Sequence, residues 1–146
     1  MNQALQDNFG RRFSYLRLSI TDSCNFRCQY CLPNGYKKTS DETFLSVHEI
    51  KRLVTALAEL GMWKIRLTGG EPTLRSDFEE ISSTIRKING VRKMAFTTNG
   101  YRLARHAKNF YDVGYRAVNV SIDSLDADIF FKTTGRNILD KVLAGI

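Results

Sequence analysis

Residues 16–21 read Leu-Arg-Leu-Ser-Ile-Thr, an unbroken alternation of apolar and polar side chains. A period of two is the signature of a β-strand with one buried face. Outward from it, residues 45–60 carry helical periodicity, with Ser46 and Glu49 spaced as a capping box and Gly61 as the stop. Residues 64–68 (KIRLT) read as a second strand. Residues 78–88 read as a second helix, opened by Asp77 and closed by Asn89-Gly90. Residues 93–98 form the third strand and end in Asn99-Gly100. Residues 103–113 form the third helix, stopped by Gly114, and residues 117–123 the fourth strand. A short helix over 126–132 and the start of another over 138–146 complete the chain, which has no internal repeat.

Strands alternating with helices imply right-handed crossovers and a parallel sheet. Side-chain parity then chooses between architectures. Leu16, Leu18 and Ile20 oppose Arg17, Ser19 and Thr21; Ile65 and Leu67 oppose Lys64, Arg66 and Thr68; Val118, Val120 and Ile122 oppose Asn119, Ser121 and Asp123. The third strand is less clean, with Met94 and Phe96 opposite Ala95 and Thr97. A doubly wound sheet is covered on both faces and should be apolar on both. One polar face predicts an α/β partial barrel of about four βα units, with helices outside and a polar concave surface inside. The fourth strand is then an open edge.

The length of 146 residues fits one domain, and 42% hydrophobic residues suffice for a core. The net charge of +7 suits anionic partners: nucleic acid, an acidic membrane surface or a phosphorylated small molecule. A solvated basic surface is the plainer alternative. The cations are scattered and aromatics do not interleave with them, which speaks against nucleic acid. No run approaches the roughly 18 apolar residues of a membrane span. MNQALQDNFGRR lacks the apolar core of a secretory signal, so a cytoplasmic location is expected.

Cys24, Cys28 and Cys31 are the only cysteines, spaced C-x3-C-x2-C just after the first strand. An odd number in one short stretch argues against a disulfide framework. The carboxyl end of a strand is where parallel α/β folds place their sites. Thiolates select zinc, copper(I) or iron–sulfur clusters. Zinc would need a fourth ligand, and His48 and His106 lie in or near helices away from this loop. Three free cysteines are the bland alternative, against which Arg27 and Gln29 make the loop polar. A [4Fe–4S] cluster on three thiolates would leave one iron open.

The second strand runs into Thr68-Gly69-Gly70-Glu71-Pro72, the third into Thr97-Thr98-Asn99-Gly100, and the fourth into Ser121-Ile122-Asp123. Each alone is an ordinary turn or cap; together on one rim they predict a cleft. Paired glycines would let backbone approach a ligand. Arg17 and Arg66 fall on the inner face, either in ion pairs with Asp123 or Glu71 or as a fork for phosphate or carboxylate.

The segments YLRLSITDSCNFRCQYCLP, KIRLTGGEPTLR, TTNGYRL and NVSIDSLD resemble the radical S-adenosylmethionine (SAM) superfamily, and within it the GTP 3′,8-cyclase family of molybdenum cofactor biosynthesis. The resemblance spans nearly the whole chain. It implies that Cys24, Cys28 and Cys31 ligate a [4Fe–4S] cluster whose fourth iron is chelated by SAM. One electron would cleave SAM to methionine and a 5′-deoxyadenosyl radical, which takes the 3′ hydrogen of GTP before the ribose carbon bonds to C8 of guanine. The product is (8S)-3′,8-cyclo-7,8-dihydroguanosine 5′-triphosphate. Tyr30, Gly70 and Ser121 are implied as SAM contacts, and Arg17, Arg66 and Thr97 as GTP contacts. The implied partners are GTP and a reducing electron donor, with homodimerisation left open.

Members of this family are about twice as long, with six βα units and a carboxyl-terminal region holding a second iron–sulfur cluster on three more cysteines. Residues 1–146 are therefore expected to be the amino-terminal part of a (β/α)6 partial barrel without the second-cluster region, and inactive in cyclisation by themselves. Another radical SAM reaction, such as peptide modification, and a cluster-binding module without turnover are the alternatives.

Overall fold

The alternating stretches pair as their parity requires. Strands β1 (Tyr15–Ser19), β2 (Lys64–Thr68), β3 (Lys93–Thr98) and β4 (Val118–Val120) form one sheet in the order β1-β2-β3-β4, with every pairing parallel. The computed structural model describes residues 4–38 and 43–146. Five α-helices are described: α1 (Val47–Glu59), α2 (Phe78–Arg86), α3 (Leu103–Val113), α4 (Ala127–Thr134) and α5 (Leu139–Leu143). One α-helix thus follows each strand, giving the four expected βα units, and α5 follows α4.

Local chemistry accounts for the helix bounds. Ser46 caps α1 by accepting from Glu49 N, while its own N–H donates to Glu49 Oε2 at 2.8 Å, the expected capping box. Asp77 precedes α2 but makes no capping bond. Its carboxylate is taken by the Arg75 fork, with Nε at 2.7 Å and Nη2 at 2.8 Å, so a bidentate ion pair outcompetes the cap. Helix α4 runs to Thr134, beyond the expected end, until Gly135 turns left-handed at φ 67. Asp126 caps its start by accepting from Ile129 N at 2.9 Å. Asp126→Ala is expected to cost about 1 kcal/mol, read as a lower midpoint in thermal unfolding.

Strand β4 is shorter than the expected 117–123. Among the described residues it pairs only with β3 and has no strand neighbour on the far side. Ser121 N still bonds to Thr98 O at 2.9 Å, and the chain then leaves the sheet.

Helices α1, α2 and α3 pack side by side over the apolar face of the sheet. Ile65, Leu67 and Phe96 enter this core with Ile50, Val54, Ile81 and Ile85. Phe78, Phe96, Phe110 and Tyr115 interlock with ring centroids 4.7 to 6.0 Å apart. The opposite face carries Arg17 beside Arg66, and Arg66 beside Ala95, in direct register. A second, smaller core of Phe26, Phe130, Leu139 and Val142 sits against the cysteine loop, Phe26 meeting Phe130 edge-on at 6.1 Å.

Candidate metal centre and polar cleft

The cysteine loop is held from two sides. On one side it docks on the end of α4: Arg27 N bonds to Thr134 O at 2.9 Å, Gln29 N to Thr133 O at 3.0 Å, and Arg136 Nε to Asn25 O at 2.6 Å. On the other side it meets the Gly-Gly turn after β2: Gly70 N bonds to Thr21 O at 2.8 Å and Glu71 N to Ser23 O at 2.7 Å. A β-carbon on Gly69 would lie 2.2 Å from Thr21 O, and one on Gly70 would lie 2.5 Å from both Asp22 O and Ser23 O. The paired glycines therefore serve a close approach between two backbone segments of this chain. Gly70 is also exposed at the rim.

Cys24 and Cys28 are half-buried and Cys31 is exposed. Burial raises the Cys24 thiol, helped by the Glu71 carboxylate and Cys31 and opposed by the Phe26 amide and the Asn99 side chain. Burial likewise raises Cys28, with Cys24, Asp123 and Cys31 adding to it. Cys24 and Cys28 each feel the charge of Cys31, and a bound cation would relieve that repulsion. Among the described residues no three His, Cys, Asp or Glu side chains converge on a single ion. The zinc alternative also lacks its fourth ligand. His106 stacks on Phe110 and faces Glu79 at 3.6 Å, and His48 is an exposed residue of α1. Three soft thiols and no histidine are the donor chemistry that an iron–sulfur cluster takes, and in donor type the loop fits one.

Tyr30 is an exposed residue, at 70%. Its hydroxyl donates to Asp123 Oδ2 at 2.9 Å. Desolvation of that hydroxyl end and the bond to Asp123 push the phenol above its ordinary range. Asp123 follows Ser121 by two residues, so this bond draws Tyr30 and Ser121 onto the same stretch of rim.

Arg17 and Arg66 make no ion pair with Glu71 or Asp123, which corrects that alternative. Asp123 is bonded to Tyr30, and Glu71 to Thr73, Thr98 and Asn99. The Arg66 guanidinium lies 5.9 Å from the Tyr15 ring, with Lys64 Nζ 5.0 Å from the same ring. Arg66 Nε and Thr97 Oγ1 are buried and have no hydrogen-bond partner in the structure. Such an orphan costs about 1–3 kcal/mol unless a ligand satisfies it. The sequence places Glu71, Asn99 and Asp123 on the rim but does not give their partners: Thr98 and Asn99 for Glu71, Asn25 for Asn99, and Tyr30 for Asp123. The only signal of the three is a polar side chain at a strand's carboxyl end, which a turn residue also gives.

Residues 18–146 match the model of the radical SAM superfamily. A GTP 3′,8-cyclase of Psychromonas ingrahamii is 56% identical over 146 residues, which is 100% of this chain and 43% of that protein. A GTP 3′,8-cyclase of Shewanella denitrificans is 54% identical over 142 residues, 97% of this chain and 42% of that protein. The chain spans less than half the length of these curated relatives. Among solved structures, Streptococcus suis SuiB bound to S-adenosylmethionine superposes with a TM-score of 0.68 at 18% identity, covering 88% of this chain and 29% of that one. HydG, a maturase of the [FeFe]-hydrogenase, gives 0.68 at 18% identity, covering 90% and 33%. These two likenesses are of fold.

Proposed function

Because this chain belongs to the radical SAM superfamily, we propose that it is the amino-terminal part of a GTP 3′,8-cyclase. Residues 1–146 are then the first portion of a (β/α)6 core, and the second-cluster region belongs to the remainder of the protein. The identity and coverage of the cyclase relatives support this reading. Cys24, Cys28 and Cys31 would hold a [4Fe–4S] cluster. When bound, that cluster supplies the electron for reductive cleavage of SAM, and an external reductant replenishes it.

The chain's own residues bind and orient. The exposed Tyr30, anchored by Asp123, offers its ring to SAM; Ser121 and Gly70 line the same rim. Arg17, Arg66 and Thr97 hold GTP on the concave face, with fixed charge suited to a triphosphate. This use of cationic surface favours a nucleotide over nucleic acid. A cytoplasmic setting is consistent with it, and among the described residues no helix is long and apolar enough to cross a membrane.

The observation that carries the substrate assignment is the pair of buried, unpartnered atoms, Arg66 Nε and Thr97 Oγ1. Arg66→Ala is expected to weaken GTP binding about tenfold or more, since a charge-assisted hydrogen bond is worth about 1.5–3 kcal/mol. Calorimetric titration of the anaerobic chain with GTP checks this. Equal affinity in the variant would end the assignment of Arg66 to GTP.

A further inference from the structure

Glu71 is a carboxylate with no exposure to solvent. Among the described residues no cation pairs with it. Oε1 accepts from Thr73 N at 3.1 Å and from the hydroxyls of Thr73 and Thr98 at 2.5 and 2.8 Å. Oε2 accepts from Asn99 N at 2.6 Å. Each oxygen thus faces a backbone N–H that can only donate, so the site calls for an acceptor at both positions. Such a set of neutral donors stabilises the ionised form of the carboxylate.

A buried charge without a counterion works against stability. Its surroundings show what it serves. Asn99, whose N–H it holds, sends Nδ2 to Asn25 Oδ1 at 2.8 Å and lies 4.0 Å from Cys24 Sγ. Asn99 Oδ1 accepts from Tyr101 N at 3.0 Å, so the amide group is oriented at both ends. Glu71's own N–H holds Ser23 O. One residue thus grips the cysteine loop at Ser23 directly and at Asn25 through Asn99. Both carboxylate oxygens are engaged in these bonds and the side chain has no exposure to solvent.

We propose that Glu71 is a positioning residue: acting through Asn99, it sets the cysteine loop in shape for its cluster and places a fixed negative charge beside it. The inference rests on the cluster reading above. Partners that orient metal ligands are worth about 10–100-fold in metal affinity. A fixed anion in a low-dielectric site also disfavours adding an electron nearby, which holds a reduction potential low.

The test uses the iron-loaded chain, prepared anaerobically, beside Asn99→Ala, Asn25→Ala and Glu71→Gln. Both asparagine variants should lose iron to a chelator about tenfold faster than the parent chain while unfolding at nearly the same temperature without metal. Glu71→Gln, equal in size but uncharged, should shift the reduction potential upward. Parental release rates in both asparagine variants would overturn the proposal, as would an unchanged potential in Glu71→Gln. So would a defect confined to SAM affinity, which would make Glu71 a ligand contact. Should Glu71→Gln fail to fold, the two asparagine variants decide. A parent chain that takes up no iron at all would sink the cluster reading and this inference with it.

Discussion

Cys28→Ser is expected to reduce iron loading from about four irons per chain to well under one after anaerobic reconstitution. The exchange keeps the size of the side chain and removes the soft donor. A serine hydroxyl neither ionises near neutral pH nor competes with thiolate for iron. Two remaining thiolates cannot close a three-point attachment. The fold itself leans little on Cys28, which packs only at the border of the Phe26–Phe130 core. Iron assay and the charge-transfer absorbance give the answer, with circular dichroism as the control for folding. A Cys28→Ser chain that is folded and fully loaded would refute the ligand assignment. A parent chain that binds zinc in preference to iron under the same conditions would refute the cluster.

Gly70→Ala is expected to cost about 3 kcal/mol, and to cost it at the site. The new β-carbon would meet Asp22 O and Ser23 O at 2.5 Å, and both are backbone atoms with no rotamer to escape into. Overpacking of this kind costs about 1–3 kcal/mol. Prising the loops apart also weakens the bonds Gly70 N to Thr21 O and Glu71 N to Ser23 O, each worth about 1 kcal/mol. Gly90→Ala makes the comparison. Gly90 has a left-handed φ of 94, but its added carbon would find ordinary contact at 3.5 Å from Ala58 Cβ. Conformational strain alone should then cost about 1–2 kcal/mol. Urea titration of both variants ranks them. If Gly70→Ala proves no worse than Gly90→Ala, the close approach between the two loops is not what requires the glycine.

Much of the fold is legible because it depends on local periods. The alternation in Leu16 to Ile20 and in Ile65 and Leu67 follows from the pleat of one strand, so it survives without knowledge of neighbours. The third helix is likewise delimited by its own Gly114, left-handed at φ 113. Misreadings arise where a non-local partner competes. Asp77 has the position of a cap, and Arg75 takes its carboxylate instead. Residues 117–123 have the pattern of a long strand, and only Val118–Val120 finds a ladder, because a sheet edge offers one neighbour. The paired glycines, read as an approach to a ligand, have a second use that no local pattern announces: they admit the backbone of Thr21, Asp22 and Ser23.

What the amino-acid order alone determines here is therefore the polarity of each strand face and the identity of the donors: three thiols on one loop, two arginines on one face. Backbone geometry imposes those periods residue by residue, and thiol chemistry belongs to the side chain wherever it lies. What only the tertiary structure decides is which polar groups meet. Glu71 reaches Asn99 across 28 residues of chain, and Asn99 reaches Asn25 across 74. No local pattern encodes such pairs, since they exist only once parallel pairing has brought the carboxyl ends of β1, β2 and β3 to a common rim. The same closure leaves Arg66 Nε and Thr97 Oγ1 buried without partners.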